Sequence, residues 1–169
     1  MVRKLIGPNQ STTACTRDDL SALPSSAPSS SATPALVLEY VPGKSLFQLL
    51  SEKGAAPPPA VIDLGIRLGS AIGVAHAAGL AHGNVHSGNV ILEAKTGRWV
   101  LLDVAQRYAL AGLDPLDDLY HLGTLLYQMA TGHYPFENPD QPIPDPRTYA
   151  PKLPPALAAL LLRSLQADP

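Results

Sequence analysis

Residues 80–92 read Leu-Ala-His-Gly-Asn-Val-His-Ser-Gly-Asn-Val-Ile-Leu, and residues 99–105 read Trp-Val-Leu-Leu-Asp-Val-Ala. The first stretch is a polar loop that leads into a short apolar segment, and the second is an apolar segment that ends at Asp103. Gly97 lies in a turn between the two apolar segments, a pattern that predicts a β-hairpin. Asn89 and Asp103 then stand at the two edges of the hairpin, and we expect both side chains to reach one metal ion.

Apolar residues recur at three- and four-residue spacing in four further segments, which predicts four helices around the hairpin. The first segment is Leu46 to Glu52, with Ser45 as its cap, and the second starts after Pro57-Pro58-Pro59 and stops at Gly79. The third is Pro115 to Thr131, which ends before Gly132, and the fourth is Pro154 to Leu165. In the third helix we expect the inward face to contain Leu119, Leu122, Leu125, Leu126 and Met129. The fourth helix is apolar on nearly every side, so we expect it to be buried.

The remaining regular element predicted is a buried strand over Ala35 to Tyr40, before the turn signal Pro42-Gly43. The fold class is therefore α+β, mainly helical, with one small β-hairpin. Ahead of the ordered domain, residues 1–20 lack a sustained period and form a weakly ordered segment. Residues 21–35 are nearly all Ser, Ala, Pro or Thr, which is typical of a linker, and residues 36–169 form the domain.

Composition excludes several classes of partner. The chain has 169 residues, 46% of them hydrophobic, and a formal net charge of -2. Because Lys and Arg are scattered, we expect no binding to nucleic acid or to a membrane surface. Cys15 is the only cysteine, which excludes an internal disulfide. Since Asp63, Arg67 and Arg163 interrupt the longest apolar segments and no signal peptide is apparent, we predict no membrane span and a cytoplasmic location.

Five landmarks follow one another in an order typical of protein kinases. They are Leu36 to Leu46, the helix end Ala75 to Leu80, the loop and hairpin quoted above, Asp118 to Gly132, and Leu153 to Pro169. The loop and Asp103 resemble the H-R-D-x-x-x-x-N and D-F-G motifs of that family. From Leu36 onward the chain resembles the large, C-terminal lobe of a bacterial-type serine/threonine protein kinase, and we expect that fold.

The resemblance implies that Asn89 and Asp103 correspond to the two groups that hold magnesium ions against the phosphates of ATP. Both supply hard oxygen ligands, as Mg²⁺ requires. For Asn89 a structural role, in which its side chain satisfies the loop backbone, is an equal alternative.

Four other residues acquire roles from the same resemblance. Backbone groups of Glu39 and Val41 correspond to the hinge that meets adenine. His82 corresponds to a histidine that packs inside the domain and hydrogen-bonds to the backbone. Asp118 corresponds to an aspartate that accepts from backbone N–H groups of the catalytic loop.

The chain departs from the family pattern at the catalytic position. Asn84 stands where those enzymes carry the aspartate that takes the proton from the substrate hydroxyl, and a neutral amide cannot do this. Gly83 replaces the arginine that senses a phosphorylated activation loop, and His86 replaces the lysine that contacts the transferred phosphate. Only fourteen residues separate Asp103 from Asp118, too few for the A-P-E motif and the platform that binds a peptide substrate.

No Gly-rich loop, V-A-I-K lysine or partner glutamate precedes Leu36, so we expect the small lobe to be missing. A zinc site is the alternative for His82 and His86, which are four residues apart. Gly83 stands where the H-E-x-x-H motif has glutamate, and no third ligand stands at a fixed spacing, so we expect no zinc.

These observations leave three functions open. The first is a catalytically inactive kinase-like domain, a pseudokinase, that binds another protein and has a regulatory role. The second is half of an ATP-dependent kinase that needs a small lobe from another chain, and the third is a truncated or decayed kinase gene product. We expect no cofactor, with Mg²⁺ and ATP as the ligands of any residual binding.

Overall fold

The computed structural model describes residues 40–103, 114–136 and 142–166. The chain divides into two units, 1–41 and 42–169, and only Tyr40 and Val41 of the first unit are described. The predicted N-terminal segment, the linker and nearly all of the strand predicted over 35–40 therefore lie outside the described residues.

The second unit consists of helices and one small antiparallel sheet. Its elements are β1 (Gly43–Ser45), α1 (Leu46–Lys53), α2 (Pro58–Ala77), β2 (Val90–Glu93), β3 (Trp99–Leu101), α3 (Pro115–Thr131), a 3₁₀ turn (Pro146–Thr148) and α4 (Pro155–Ser164). The α+β, mainly helical fold class is confirmed.

The ends of the helices follow from local sequence. Ser45 and Gln48 form a capping box at the start of α1: the Ser45 hydroxyl accepts from the Gln48 N–H, and the Gln48 side chain accepts from the Ser45 N–H. Asp114 caps α3 by accepting from the N–H of Leu116 at 2.9 Å. Gly132 ends α3 in the left-handed conformation, at φ 79°, which glycine adopts without strain.

The sheet has the order β1-β2-β3 and contains a strand that the sequence did not predict. Within the predicted hairpin, Val90 faces Leu101 and Leu92 faces Trp99. The missed strand, β1, begins at Gly43, which was expected to be in a turn. A Cβ at Gly43 would overlap the carbonyl oxygen of Leu92, so glycine permits the close approach of β1 to β2.

The core lies between α2, α3 and α4, with α3 in contact with both other helices. Its buried residues include Leu64, Leu68 and Ile72 from α2, Leu125 and Met129 from α3, and Ala158 and Leu161 from α4. Two expectations were wrong. Leu119 is 40% exposed, because the fully buried Asp118 takes the inward position in that turn of α3, and α4 is not buried on every side, since Leu160 is 61% exposed.

Among the described residues, α2 is the one helix that is long and apolar enough to span a membrane by length and composition. The expectation that Asp63 and Arg67 exclude every such segment was therefore too strict. One face of α2 nevertheless contributes Val61, Leu64 and Leu68 to the protein core, where they are at most 2% exposed. Ile62, Ile66 and Val74 of the same helix are exposed, so α2 packs against the domain on one face only.

Candidate functional site

The candidate site is the loop between α2 and β2, together with the residues that follow β3. A buried carboxylate fixes the start of this loop. Asp118, in the first turn of α3, is fully buried and accepts from the backbone N–H groups of His82 at 2.7 Å and Gly83 at 2.6 Å. The Nε2 atom of His76, near the end of α2, lies 2.8 Å from the same carboxylate. One side chain therefore joins two helices to the loop.

His82 connects the loop to the end of β3. Its Nε2 atom lies 2.9 Å from the carbonyl oxygen of Leu102, and its Nδ1 atom lies 3.2 Å from the backbone nitrogen of Asn84. Because a carbonyl needs a donor and an N–H needs an acceptor, this pair of contacts requires the neutral ring with the proton on Nε2. Burial lowers the pKa of His82, and the lowered pKa favours the same neutral form. The hydrogen bond to Leu102 raises the pKa, but by less than burial lowers it.

Asn84 has its backbone held on both sides. Its N–H donates to His82, and its carbonyl oxygen accepts from the side-chain amide of Asn89 at 3.0 Å. Asn89 is itself buried, at 8% exposure. The loop thus keeps a defined backbone at position 84, while the half-buried side chain at that position is a neutral amide.

Asn89 and Asp103 are brought together by the hairpin. The N–H of Leu102 donates to the carbonyl oxygen of Asn89 at 2.8 Å, which extends the register of β2 and β3 by one pair. Asp103 follows directly, at φ 65°, a left-handed conformation that Asp tolerates better than most residues. The two residues therefore lie at the same end of the sheet, as the sequence predicted.

The ligand atoms available there suit Mg²⁺ in part. The Asn89 NH₂ group donates to the loop backbone, which leaves its amide oxygen as a ligand atom, and Asp103 adds a carboxylate. Two protein oxygens are enough for Mg²⁺ only when nucleotide phosphates supply further ligands. In the described part of the chain no group of three or more His, Cys, Asp or Glu residues could hold a metal ion.

The zinc alternative conflicts with the geometry at both histidines. Both ring nitrogens of His82 are in hydrogen-bond contacts within the domain, and Nδ1 of His86 lies 3.1 Å from the backbone nitrogen of Gly88. One outward nitrogen, on His86, cannot form a tetrahedral site.

Two predicted site residues stay untested, and one contact was missed. Glu39 lies outside the described residues, and Val41 belongs to the first unit, so the predicted hinge stays a prediction. The contact of His76 with Asp118 was not foreseen from the sequence.

No family model matches the chain. The chain is 28% identical to the probable serine/threonine-protein kinase CPE1738 of Clostridium perfringens, over 79% of this chain and 24% of that protein. It is 28% identical to the serine/threonine-protein kinase PksC of Streptomyces coelicolor, over 81% of this chain and 32% of that one. With PknL of Mycobacterium tuberculosis, a serine/threonine-protein kinase, identity is 30% over 61% of this chain and 32% of PknL. The chain spans about a quarter to a third of the length of these relatives.

Solved structures with the same fold include the PknI kinase domain of Mycobacterium tuberculosis. It superposes with a TM-score of 0.65 and 26% identity over 79% of this chain and 58% of that one. The kinase domain of Rad53, in complex with AMPPNP, superposes with a TM-score of 0.61 at 21% identity over 79% of this chain and 62% of that one, which shows the fold alone.

Proposed function

The chain has a protein kinase-like fold of the bacterial serine/threonine type, and from this premise we propose that it is a catalytically inactive kinase-like domain, a pseudokinase. The observation that carries the proposal is Asn84. Its backbone is held by His82 and Asn89, so the residue occupies a defined position in the loop, but it offers no proton acceptor there. The framework of the loop is present without its reactive group.

The expected effect of this substitution is large. Losing a positioned general base typically slows a reaction by about 10²- to 10⁴-fold. An amide oxygen is too weakly basic to accept the hydroxyl proton at neutral pH, and its NH₂ group is a donor. Asn84 can position a hydroxyl group but cannot deprotonate it.

The short connection between Asp103 and Asp118 is a second argument. Only fourteen residues lie between them. A segment this short leaves little chain to hold a peptide substrate beside the loop.

His86 is a third argument, because it is a weak substitute for the lysine that contacts the transferred phosphate. The Nδ1 atom accepts from the Gly88 N–H, so Nε2 is the atom that faces outward. An imidazole whose Nδ1 accepts a hydrogen bond has one nitrogen left to meet a phosphate, whereas a lysine ammonium offers three N–H donors and a full positive charge. Neutralisation of a transferred phosphoryl group would be incomplete.

The role we propose is that of a regulatory, cytoplasmic module that binds another protein and needs no cofactor. Exposed apolar side chains on α2, α3 and α4 support a binding role, since contiguous apolar surface often marks a partner site. Scattered basic residues and a net charge of -2 argue against nucleic acid as the partner.

Thermal unfolding with millimolar MgATP tests the proposal. Wild-type protein should shift by less than about 2 °C, because a ligand stabilises by RT ln(1 + [L]/Kd), which is small when the Kd exceeds the concentration used. Asp103→Ala, which removes the carboxylate ligand, is the matched control and should behave like wild type. A rise of several degrees that Asp103→Ala abolishes would contradict the proposal. Asn84→Asp should still transfer no phosphate to a generic protein substrate.

A further inference from the structure

Five apolar and aromatic side chains form one surface at the start of α3, which we call the α3 patch: Leu116, Leu119 and Tyr134, which are exposed, and Tyr120 and Phe136, which are partly buried. Leu119 and Tyr120 each follow Leu116 by one turn of α3, so both side chains lie next to Leu116 on the helix surface. Phe136 stacks on Tyr120 with ring centroids 5.7 Å apart, and Tyr134 meets Phe136 edge to face at 5.6 Å. The patch therefore extends from the helix onto the chain that follows it.

The patch is more exposed than the rest of α3. Leu116 is 50% exposed, Leu119 40% and Tyr134 49%, whereas Leu125 and Met129, later in the same helix, are buried. Two leucines that face water beside stacked aromatic rings gain free energy when another apolar side chain covers them.

The charges beside the patch indicate what kind of partner fits it. Asp114 and Asp117 flank Leu116, both are exposed, and neither forms a salt bridge with any residue in 40–103, 114–136 or 142–166. Helix α3 contains no Lys or Arg. Its one histidine, His121, follows Tyr120, and the two rings meet edge to face. The described residues at the start of α3 therefore present two exposed carboxylates and no Lys or Arg.

The exposed face of α2 gives a useful contrast. Ile62, Ile66 and Val74 are also exposed there, but the neighbouring Asp63 and Arg67 form an ion pair at 2.8 Å. Because that pair is internally neutralised, the α2 face has no preference for the charge of a partner. The α3 patch combines apolar area with two carboxylates that form no salt bridge within the described residues.

From this combination we infer that the α3 patch binds a basic amphipathic segment of another protein. Apolar side chains of the segment cover Leu116, Leu119 and Tyr120, and its Lys or Arg side chains pair with Asp114 and Asp117. The inference rests on the proposed function, since it gives the chemistry of the partner of a binding module.

Fluorescence anisotropy with three synthetic peptides of about 18 residues, long enough to form a helix, tests the inference on the full chain. The first peptide contains Leu and Lys with one apolar helical face, the second replaces Lys by Glu, and the third scrambles the first so that no apolar face forms. At pH 7.5 we expect the Leu/Lys peptide to bind at least about tenfold more tightly than either control. Added salt should weaken this binding.

Substitutions locate the binding site. Asp114→Asn with Asp117→Asn keeps the helix cap, because Asn caps as well as Asp, and should weaken binding about two- to fivefold per carboxylate. Leu116→Ser with Leu119→Ser should weaken it by about tenfold or more. The matched control is Ile62→Ser with Ile66→Ser on α2, which should leave binding unchanged.

Several results would overturn the inference. Equal binding of the Leu/Glu or scrambled peptide, equal loss in the α2 control, or no binding at all would each do so. Self-association that Leu116→Ser with Leu119→Ser abolishes would show instead that a second copy covers the patch. These binding results do not depend on phosphoryl transfer. A kinase assay therefore tests the proposed function separately, and distinguishes its failure from failure of this inference.

Discussion

Replacing Asp118 by alanine should destabilise the domain more than any neighbouring substitution. The carboxylate is fully buried and accepts from the N–H groups of His82 and Gly83 and contacts His76. Without it, two buried N–H groups lose their partner, and each loss costs about 1–3 kcal/mol. We expect a total of about 3–5 kcal/mol, a large part of the roughly 5–15 kcal/mol that stabilises a typical domain.

Urea unfolding followed by the fluorescence of Trp99, the one tryptophan, measures this loss. With a slope of about 1–3 kcal/mol per molar urea, the midpoint should fall by at least about 1 M. Asp118→Asn keeps the shape but places an NH₂ group against a donor, so its loss should be intermediate, which keeps the test usable if the alanine variant does not fold. Asp117→Ala, at the exposed next position, is the control and should change stability by less than about 0.5 kcal/mol. A change below about 1 kcal/mol for Asp118→Ala would refute the reasoning.

The other predictions concern pH, packing and the loop. Because burial lowers the pKa of His82 from its ordinary value of 6.5, its contribution to stability is complete above pH 6.5 and is lost as the pH falls toward the folded-state pKa; an NMR titration that shows protonation above pH 6.5 would contradict this. Gly123→Ala should destabilise the domain by about 1–3 kcal/mol, since the new Cβ would lie 2.8 Å from the Cβ of Ser164. Gly73→Ala, whose new Cβ would meet no atom within 4 Å, should stabilise the domain by up to about 1 kcal/mol, and thermal unfolding measures both changes. Asn89→Ala should cost about 1 kcal/mol and speed amide exchange in the loop, because the carbonyl of Asn84 loses its donor.

Much of the fold could be predicted because local signals agreed with it. The helix α3 begins at Pro115 and ends at Thr131 as expected, since Asp114 caps one end and Gly132 terminates the other. The hairpin was likewise predicted from two apolar runs and Gly97, whose φ is 68°. In both cases the decisive interactions lie within a few residues of one another.

The errors come from interactions between distant parts of the chain. Strand β1 exists because it pairs with Glu93 and its neighbours some fifty residues later, and a three-residue segment beginning with glycine carries no strand signal of its own. Leu119 has the spacing of an inward residue, but its neighbour Asp118 is the residue of that turn that is buried, in contact with His76 and the loop, and Leu119 stays 40% exposed. Helix α4 is apolar all round, yet composition alone does not state which face meets a neighbour.

For the candidate site, sequence spacing placed Asn89 and Asp103 at one end of the hairpin, because strand register follows from the turn. The contact between His76 and Asp118 joins residues 42 positions apart and depends on how α2 crosses α3. Helix crossing is set by packing of whole surfaces, so no local pattern could predict it.

Incubation of the purified full chain with Mg²⁺ and ATP labelled at the γ-phosphate, with a generic protein substrate and with the chain itself as acceptors, tests the central claim most directly. Because Asn84 cannot accept the hydroxyl proton, we predict no labelled protein above the level of the Asp103→Ala variant. Labelled product that forms with wild-type protein and disappears in Asp103→Ala would show that the loop still catalyses phosphoryl transfer, and would contradict the assignment of the chain as an inactive kinase-like domain.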